Sequence, residues 1–164
     1  MTTLRPATAG DVGPLAALND AAAPAVNALG ADGLAAHLPA CDVALVAEDD
    51  GAVVGFVLAL APGSDYASEN YAWFSARRPG SLYVDRVVVA PAASGRGVGR
   101  TLYDAVVARA AELGLRTVTC EVNLDPPNPE SLAFHARMGF ERVGEQVTKG
   151  GTVRVALLER AVEV

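Results

Sequence analysis

The chain has 164 residues, of which 51% are hydrophobic and 20% charged, with a formal net charge of −6. This length fits a single domain over residues 1–164, and the acidic balance argues against a nucleic-acid partner, because such binding depends on Lys and Arg. No run approaches the ~20 apolar residues that cross a bilayer, and the first residues lack a signal-peptide pattern, so we expect a soluble, cytoplasmic protein with no membrane partner.

The first sixty residues predict a strand, two helices and a hairpin. In chain order these are a strand at Leu4–Ala7, an Ala/Leu-rich helix from Thr8 or Asp11 to about Ala23, a helix at Asp32–His37, and strands at Asp42–Glu48 and Ala52–Ala61. The last two strands are separated by Asp49-Asp50-Gly51. Asp-Gly between apolar strands is a strong hairpin signal, so we expect these strands to pair antiparallel.

Residues 62–81 break the pattern with two prolines and two glycines. The same stretch contains four aromatic residues, Tyr66, Tyr71, Trp73 and Phe74. We predict an irregular segment that forms a pocket wall or a lid, where aromatic rings and a nearby carboxylate would suit a cationic amine. The alternative is a small hydrophobic cluster that pins a long loop.

A strand, a glycine loop and a helix follow in that order. The strand covers residues 82–90, the loop reads Ser-Gly-Arg-Gly-Val-Gly-Arg-Thr over residues 94–101, and an apolar stripe at helical spacing runs from Val98 to Leu113 before Gly114. Backbone N–H groups at such a helix start converge on one point, so we predict a phosphate or pyrophosphate site. The next strand, Thr117–Asn123, completes a parallel crossover.

The C-terminal part predicts one helix and a second hairpin. Asn128-Pro129-Glu130 has the order of a helix start, Gly139 ends that helix, and Glu141–Val147 and Thr152–Leu158 are joined through a glycine turn. The expected fold class is α/β (α+β): a mixed, mostly antiparallel sheet of about six or seven strands with one parallel pair at the ligand site, flanked by about four helices. The ligand is expected at the carboxyl end of a central strand.

Neither cysteine indicates a disulfide framework or a metal centre. Cys41 and Cys120 lie in apolar runs without a second cysteine or histidine at metal-binding spacing. We therefore expect both to be buried packing residues and expect no metal site.

The glycine loop matches neither common nucleotide-binding pattern. In a P-loop alignment, Ser94 stands where the first glycine belongs and Arg100 where the phosphate-binding lysine belongs. In an alignment with the dinucleotide-binding fingerprint, Arg100 stands at the position of the third glycine. A kinase or a nucleotide-dependent switch is therefore disfavoured.

The order of features resembles the GCN5-related N-acetyltransferase (GNAT) superfamily over nearly the whole chain. That family carries a Q/R-x-x-G-x-G/A loop after its fourth strand, and Ser94–Gly99 resembles this loop. The family also has a helix that starts with Asn-x-x-[Ala/Ser], is rich in aromatic residues and ends in Gly-Phe. Asn128–Ser131 resembles the start of that helix, and Phe134–Phe140 resembles its end. Ser94 departs from the preferred Gln or Arg. His135 stands where many members have a tyrosine that serves the leaving thiolate.

The resemblance implies binding of acetyl-coenzyme A as cosubstrate. The loop amides would hold the pyrophosphate, and the backbone of a bulged strand at residues 87–89 would pair with the pantetheine arm. The alternative to a bulge is a central strand buried on both faces, which explains the three valines at 87–89 equally well. The implied cofactor-binding residues are Val87, Val88, Val89, Ser94, Gly95, Arg96, Gly97, Val98, Gly99, Arg100, Asn128 and His135.

Three residues are candidates for catalysis. Glu121 and Asp85 are acids within apolar strands, which costs desolvation unless the carboxylate is paired or used, so either is a candidate general base. Pairing of Asp85 with Arg86 or Arg77 is the alternative for that residue, and structural pairing is the alternative for Glu121. His135 is a candidate proton donor to the thiolate, with simple packing as its alternative. His37, on an expected surface helix, is assigned no chemistry.

The resemblance implies an N-acetyltransferase that moves an acetyl group from acetyl-CoA to a primary amine of a small or amino-acid-like acceptor. Direct transfer is expected because neither cysteine lies in a nucleophile arrangement. Candidate acceptor-binding residues are Tyr71, Trp73, Phe74 and Asn123. The alternatives are acetylation of a protein or peptide amine and a catalytically silent coenzyme A-binding module. Dimers are common in the family, so a homodimer is among the expected assemblies.

Overall fold

A computed structural model describes residues 1–163. Its strands are β1 (Thr2–Pro6), β2 (Val43–Asp49), β3 (Ala52–Leu60), β4 (Ser81–Val89), β5 (Thr117–Asp125), β6 (Glu141–Thr148) and β7 (Val153–Ala161). Its helices are α1 (Val12–Ala21), α2 (Gly30–His37), α3 (Glu69–Arg77), α4 (Val98–Glu112) and α5 (Pro129–Arg137). The seven strands form one mixed sheet in the order β1-β2-β3-β4-β5-β7-β6, and β4 and β5 are its parallel pair. The predicted fold class is confirmed.

The chain divides into two compact units. The first unit contains residues 1–60 and 84–106, and the second contains residues 61–83 and those from 107 onward. Strand β4 and helix α4 each contribute residues to both units.

In the first unit, α1 and α2 supply apolar side chains to a core on the central strands. Leu15 and Leu34 pack with Phe56, Leu58 and other buried residues, and none of these four side chains is exposed. The β2–β3 hairpin turns at Asp50 and Gly51, whose φ angles are 51° and 80°. Two positive φ angles in the turn are what a tight Asp-Gly hairpin requires, so the predicted hairpin is confirmed.

In the second unit, β7 lies between β5 and β6 and pairs antiparallel with both. The parallel pair begins with Ser81 opposite Thr117. The predicted C-terminal hairpin is therefore confirmed as β6–β7, and its second strand also completes the pairing of β5.

A missed helix and an early strand end are the main differences from the predicted elements. Residues 69–77, expected within an irregular segment, form helix α3, which brings the helix count to five. Ser68 is the N-cap of α3, because its hydroxyl accepts a hydrogen bond from the backbone N–H of Tyr71 at 3.2 Å. Strand β5 also continues past Asn123 to Asp125, with a register shift between these residues against β7.

None of the helices within residues 1–163 is long and apolar enough to cross a membrane. Cys41 and Cys120 are not joined by a disulfide; Cys120 is buried and Cys41 is half-buried. Burial raises the pKa of the Cys41 thiol to about 12, so this thiol stays protonated at neutral pH.

Candidate active site

The glycine loop of the first unit opens directly onto the start of α4. Gly95 and Gly97 have φ angles of 77° and 79°, and a methyl group at either position would meet no atom within 4 Å. Both glycines therefore supply a left-handed backbone beside open space, as an approaching ligand requires. Because the first N–H groups of a helix have no intrahelical acceptor, the start of α4 offers several backbone donors here.

Two arginines flank these backbone donors. Arg96 pairs with Asp49, which also accepts a hydrogen bond from the N-terminal ammonium group at 3.1 Å. These two cations hold the pKa of Asp49 below its usual range. Arg100 is exposed and has no hydrogen bond or ion pair within residues 1–163. Ser94 is exposed at the edge of the loop.

Gly55 on β3 lets the start of α4 pack closely, a role that the sequence analysis missed. A methyl group on Gly55 would lie 2.8 Å from the carbonyl oxygen of Val88 and 3.2 Å from a methyl carbon of Val98. Val98 is almost fully buried at this contact. The available signal was a glycine inside an apolar strand, which often marks a close backbone approach.

The second half of β4 alternates between buried and half-buried positions. Val88 is buried, whereas Val87 and Val89 are half-buried. Arg86 does not interrupt this alternation, since it is buried in phase with Val88. The irregularity that suggested a bulge is therefore a buried arginine, and the bulge itself stays a prediction.

Asp85 belongs to a buried polar cluster in the first unit. Its Oδ2 accepts a hydrogen bond from Arg86 Nε at 2.7 Å and lies 3.0 Å from His37 Nε2. Arg86 also donates to the Asn19 side chain at 3.1 Å and to the Asn27 carbonyl and side-chain oxygens at 3.1 and 3.0 Å. Pairing of Asp85 with Arg86 is confirmed. His37 ends α2, a helix with an exposed face, but its own side chain is only 9% exposed and belongs to this cluster.

Glu121 lies in the second unit, half-buried on β5. The hydroxyl of Tyr83 lies 2.8 and 2.7 Å from its two carboxylate oxygens. Tyr83 is only 1% exposed. A buried phenol that donates to a carboxylate fixes its orientation, so Glu121 is held in place by a neutral donor.

A cavity of about 140 Å³ lies beside α3 in the second unit. Tyr71, Phe74 and Tyr83 line it together with Arg78 and five smaller residues. Arg78 Nε donates to Glu159 at 2.6 Å and its Nη1 to a backbone carbonyl, and Nη2 has no partner within the described residues. The cavity therefore combines aromatic walls with one guanidinium donor.

Trp73 does not line this cavity. Its ring packs edge-on against Phe74, and the Arg77 guanidinium lies 4.5 Å from the ring centroid. A methyl group on Gly144 of β6 would lie 3.1 Å from the same ring. Trp73 therefore joins α3 to β6, although its assignment to the acceptor stays a prediction.

His135 on α5 is buried, with only 4% of its surface exposed. Its Nδ1 lies 2.7 Å from the carbonyl oxygen of Ser131, and its ring meets Phe134 and Phe140 edge-on. Burial lowers its pKa below the usual 6.5, and the bond to Ser131 partly opposes this shift. With Nδ1–H donated to Ser131, the neutral ring presents Nε2 as an acceptor.

Asn128 and Asn123 stand on either side of the turn into α5. Asn128 Oδ1 accepts a hydrogen bond from the Ser131 N–H at 3.4 Å, so its predicted role as N-cap is confirmed. The Asn128 N–H in turn donates to the Asn123 carbonyl at 3.2 Å. Contacts of Asn128 with a cofactor and of Asn123 with an acceptor stay predictions.

The family model of the acetyltransferase (GNAT) family matches residues 18–140, well over half of the chain. The chain belongs to the GNAT acetyltransferase family. It is 35% identical over 106 residues to an L-2,4-diaminobutyric acid acetyltransferase of Nocardia farcinica, which covers 64% of this chain. The chain spans less than half of that relative, 46% of its length.

Solved GNAT structures share the fold along nearly the whole chain. The ribosomal-protein-alanine N-acetyltransferase of Brucella melitensis has a TM-score of 0.74 at 26% identity, over 97% of this chain and 99% of that one. The phosphinothricin acetyltransferase of Sinorhizobium meliloti, solved in complex with AcCoA, has a TM-score of 0.74 at 23% identity, over 98% and 88% of the two chains.

Within this GNAT chain, sequence reasoning missed the partners that hold the two candidate acids. Tyr83 and His37 gave no local signal, because each meets its carboxylate through the register or packing of distant segments. Arg86 was visible as a charge in an apolar strand. That pattern identified a partner for Asp85 but did not reveal the hydrogen bonds to Asn19 and Asn27.

Proposed function

We propose that this chain transfers the acetyl group of acetyl-CoA directly to the primary amine of a small, amino-acid-like acceptor. The observation that carries the proposal is the family match over residues 18–140, which includes the glycine loop at the start of α4. The diaminobutyric acid acetyltransferase of Nocardia farcinica supports an amino acid as acceptor.

The residues of the first unit fit a bound pyrophosphate. The space beside Gly95 and Gly97 is open, and the backbone donors at the start of α4 favour an anion. Arg100, with no protein partner among residues 1–163, adds a positive charge. The same proposal assigns Ser94–Arg100 and the backbone of residues 87–89 to acetyl-CoA, which supplies the thioester for the reaction.

Ser94→Arg tests whether the short side chain at this position limits binding of the cofactor. If the backbone donors and Arg100 are sufficient, Kd for acetyl-CoA stays within about twofold by calorimetry; a tenfold gain would be worth ~1.4 kcal/mol and would assign the deficit to Ser94. Arg100→Gln is expected to weaken the same binding.

Glu121 is proposed as the general base. An ammonium group is not a nucleophile, so the acceptor must lose a proton before it attacks the thioester carbonyl. Glu121 is half-buried and oriented by Tyr83, and its carboxylate oxygens suit both binding of the ammonium group and removal of its proton. Asp85 remains a second candidate, although its ion pair with Arg86 occupies one of its oxygens.

His135 is proposed to contact the cofactor as a neutral ring. Burial lowers its pKa, so protonation at neutral pH costs free energy and its role as acid to the thiolate is disfavoured. His135→Gln separates the two roles. A loss below about threefold in kcat/KM across pH 6–9 would support packing, whereas a larger loss that is greatest at low pH and shrinks as the pH rises would support proton donation.

The cavity beside α3 is proposed to hold the non-reacting part of the acceptor. Its walls include Tyr71 and Phe74, and Arg78 Nη2 is a donor that suits a carboxylate. An amino acid would therefore place its carboxylate towards Arg78. Arg78→Gln is expected to raise KM for the acceptor about tenfold with little change for acetyl-CoA. Arg77→Gln, a neighbouring arginine outside the cavity lining, is the matched control.

A panel of acceptors followed by release of coenzyme A thiol tests the whole proposal. It contains 2,4-diaminobutyrate and other amino acids, polyamines without a carboxylate, and a peptide with an N-terminal alanine. Turnover that is fastest with amino acids supports the proposal. Faster turnover with the peptide favours protein acetylation, and binding of acetyl-CoA with no turnover on any amine favours a silent binding module.

A further inference from the structure

Tyr83 connects the aromatic cluster of α3 to the proposed base. Its hydroxyl lies within hydrogen-bond distance of both oxygens of Glu121, at 2.8 and 2.7 Å, and its side chain is buried. We propose that Tyr83 is a positioning residue that holds the Glu121 carboxylate for proton transfer. This inference rests on the proposed function, in which Glu121 removes a proton from the acceptor.

The phenol of Tyr83 is itself held on the side of α3. Its ring lies 5.4 Å from the ring of Tyr71 and 5.9 Å from that of Phe74, both at tilted angles. Tyr71 is anchored in turn, because its hydroxyl donates to the Ala61 carbonyl at 2.6 Å. Aromatic packing of this kind leaves the Tyr83 ring little rotational freedom, so its hydroxyl has a defined position.

A neutral donor suits a base better than a cation does. The Tyr83 hydroxyl has one proton, which it shares between the two Glu121 oxygens, and it stabilises the carboxylate without neutralising it. During the reaction the acceptor ammonium gives its proton to Glu121, while Tyr83 keeps its own. The phenol can then accept a hydrogen bond from the new carboxylic acid, so neither group is left unpaired.

The same ring is also part of the cavity wall beside α3. The packing of Tyr71 and Phe74 therefore affects catalysis as well as acceptor binding, because it determines where the Tyr83 hydroxyl stands. Substitutions of these two residues are expected to lower kcat as well as to raise KM.

Tyr83→Phe tests the positioning role, since it removes the hydroxyl and keeps the ring. We expect kcat/KM for the acceptor to fall about tenfold, mostly through kcat, and the acidic limb of the pH profile to move up by about one pH unit, because the carboxylate loses its stabilising donor. Tyr103→Phe is the matched control: it alters a second fully buried tyrosine, which lies on α4, and should leave kcat/KM and the acidic limb unchanged.

A double-mutant cycle with Glu121→Gln assigns the effect to the pair. If Tyr83 acts through Glu121, Tyr83→Phe adds less than about twofold to the loss in the Glu121→Gln background. Additive losses, or an unmoved pH profile in Tyr83→Phe, would overturn the proposal. The titration of the Glu121 carboxyl carbon by NMR needs no turnover: a shift between wild type and Tyr83→Phe supports the pair even if no acceptor is acetylated, and identical titrations refute it.

Discussion

Replacing Arg86 with methionine should destabilise the first unit more than any substitution on its surface. The Arg86 guanidinium is only 2% exposed and pairs with Asp85, which is 5% exposed. It also holds α1 through Asn19 and the segment after α1 through Asn27. Methionine fills a similar length but donates no hydrogen bond, so the variant leaves a buried carboxylate and several amide oxygens without this donor.

The size of this destabilisation follows from the carboxylate that Arg86 would leave behind. Removal of one partner of a buried ion pair costs ~3–5 kcal/mol, because the remaining charge stays buried. The Asp85 carboxylate keeps His37 as a partner, 3.0 Å from the same oxygen, so the loss of stability should lie towards the lower end of this range. For a chain of this length, the melting temperature should fall by about 6–20 °C, since 1 kcal/mol shifts it by about 2–4 °C.

Urea unfolding followed by circular dichroism measures this loss directly. Arg142→Met is the matched control, because Arg142 is exposed and pairs with the equally accessible Glu145, and its loss should stay below ~0.5 kcal/mol. The double variant Asp85→Asn, Arg86→Met should be less destabilised than Arg86→Met alone, since it buries no unpaired charge. A loss below ~1 kcal/mol for Arg86→Met would refute the reasoning.

Three further predictions concern packing and stability. Gly55→Ala should lower the free energy of unfolding in urea by ~1–3 kcal/mol, because its methyl group would lie 2.8 Å from a carbonyl oxygen of β4. Gly13→Ala is the control: its methyl group would meet nothing within 4 Å, so the variant should be neutral or slightly stabilised. Equal losses in the two variants would contradict the close approach at Gly55. The pKa of His135 is lowered in the folded chain, so the unfolded chain binds more protons just below pH 6.5 and stability should fall as pH drops through that range; His135→Gln should flatten this slope, and an unchanged slope would argue against it. Gly144→Val should displace the ring of Trp73, 3.1 Å from the added carbon, and shift the tryptophan fluorescence; an unaltered spectrum would place the ring elsewhere.

The elements that the sequence predicted well carry their signals locally. Asp50-Gly51 requires a left-handed turn, Asn128 caps α5, and Gly114 ends α4 with a φ of 71°. Each signal depends on the conformation of two or three neighbouring residues. The glycine loop was located in the same way, because Gly95 and Gly97 both need positive φ angles.

Helix α3 was missed because the apolar residues in its sequence gave no long periodic stripe. Its nine residues follow a stretch with a proline and a glycine, and its cap is a single serine, Ser68. What stabilises the helix is tertiary: Tyr71 and Phe74 pack on Tyr83 of β4. A short helix whose stability comes from packing leaves little trace in local propensity.

The partners of the candidate acids could not be predicted for a related reason. Tyr83 and Glu121 are 38 residues apart and meet only because β4 and β5 pair in parallel with Tyr83 opposite Thr119. A shift of one residue in that register would turn the two side chains to opposite faces. The sequence identified Glu121 as an acid that needs a partner, and the register determined which partner it has.

The nature of those partners distinguishes the two acids. Protonation of Asp85 would neutralise the carboxylate that is paired with a buried guanidinium. Protonation of Glu121 leaves a carboxylic acid beside a phenol, and two neutral groups of this kind hydrogen-bond to each other without any buried charge. This difference is the physical reason to propose Glu121 as the base and Asp85 as a structural acid that anchors the segment after α1.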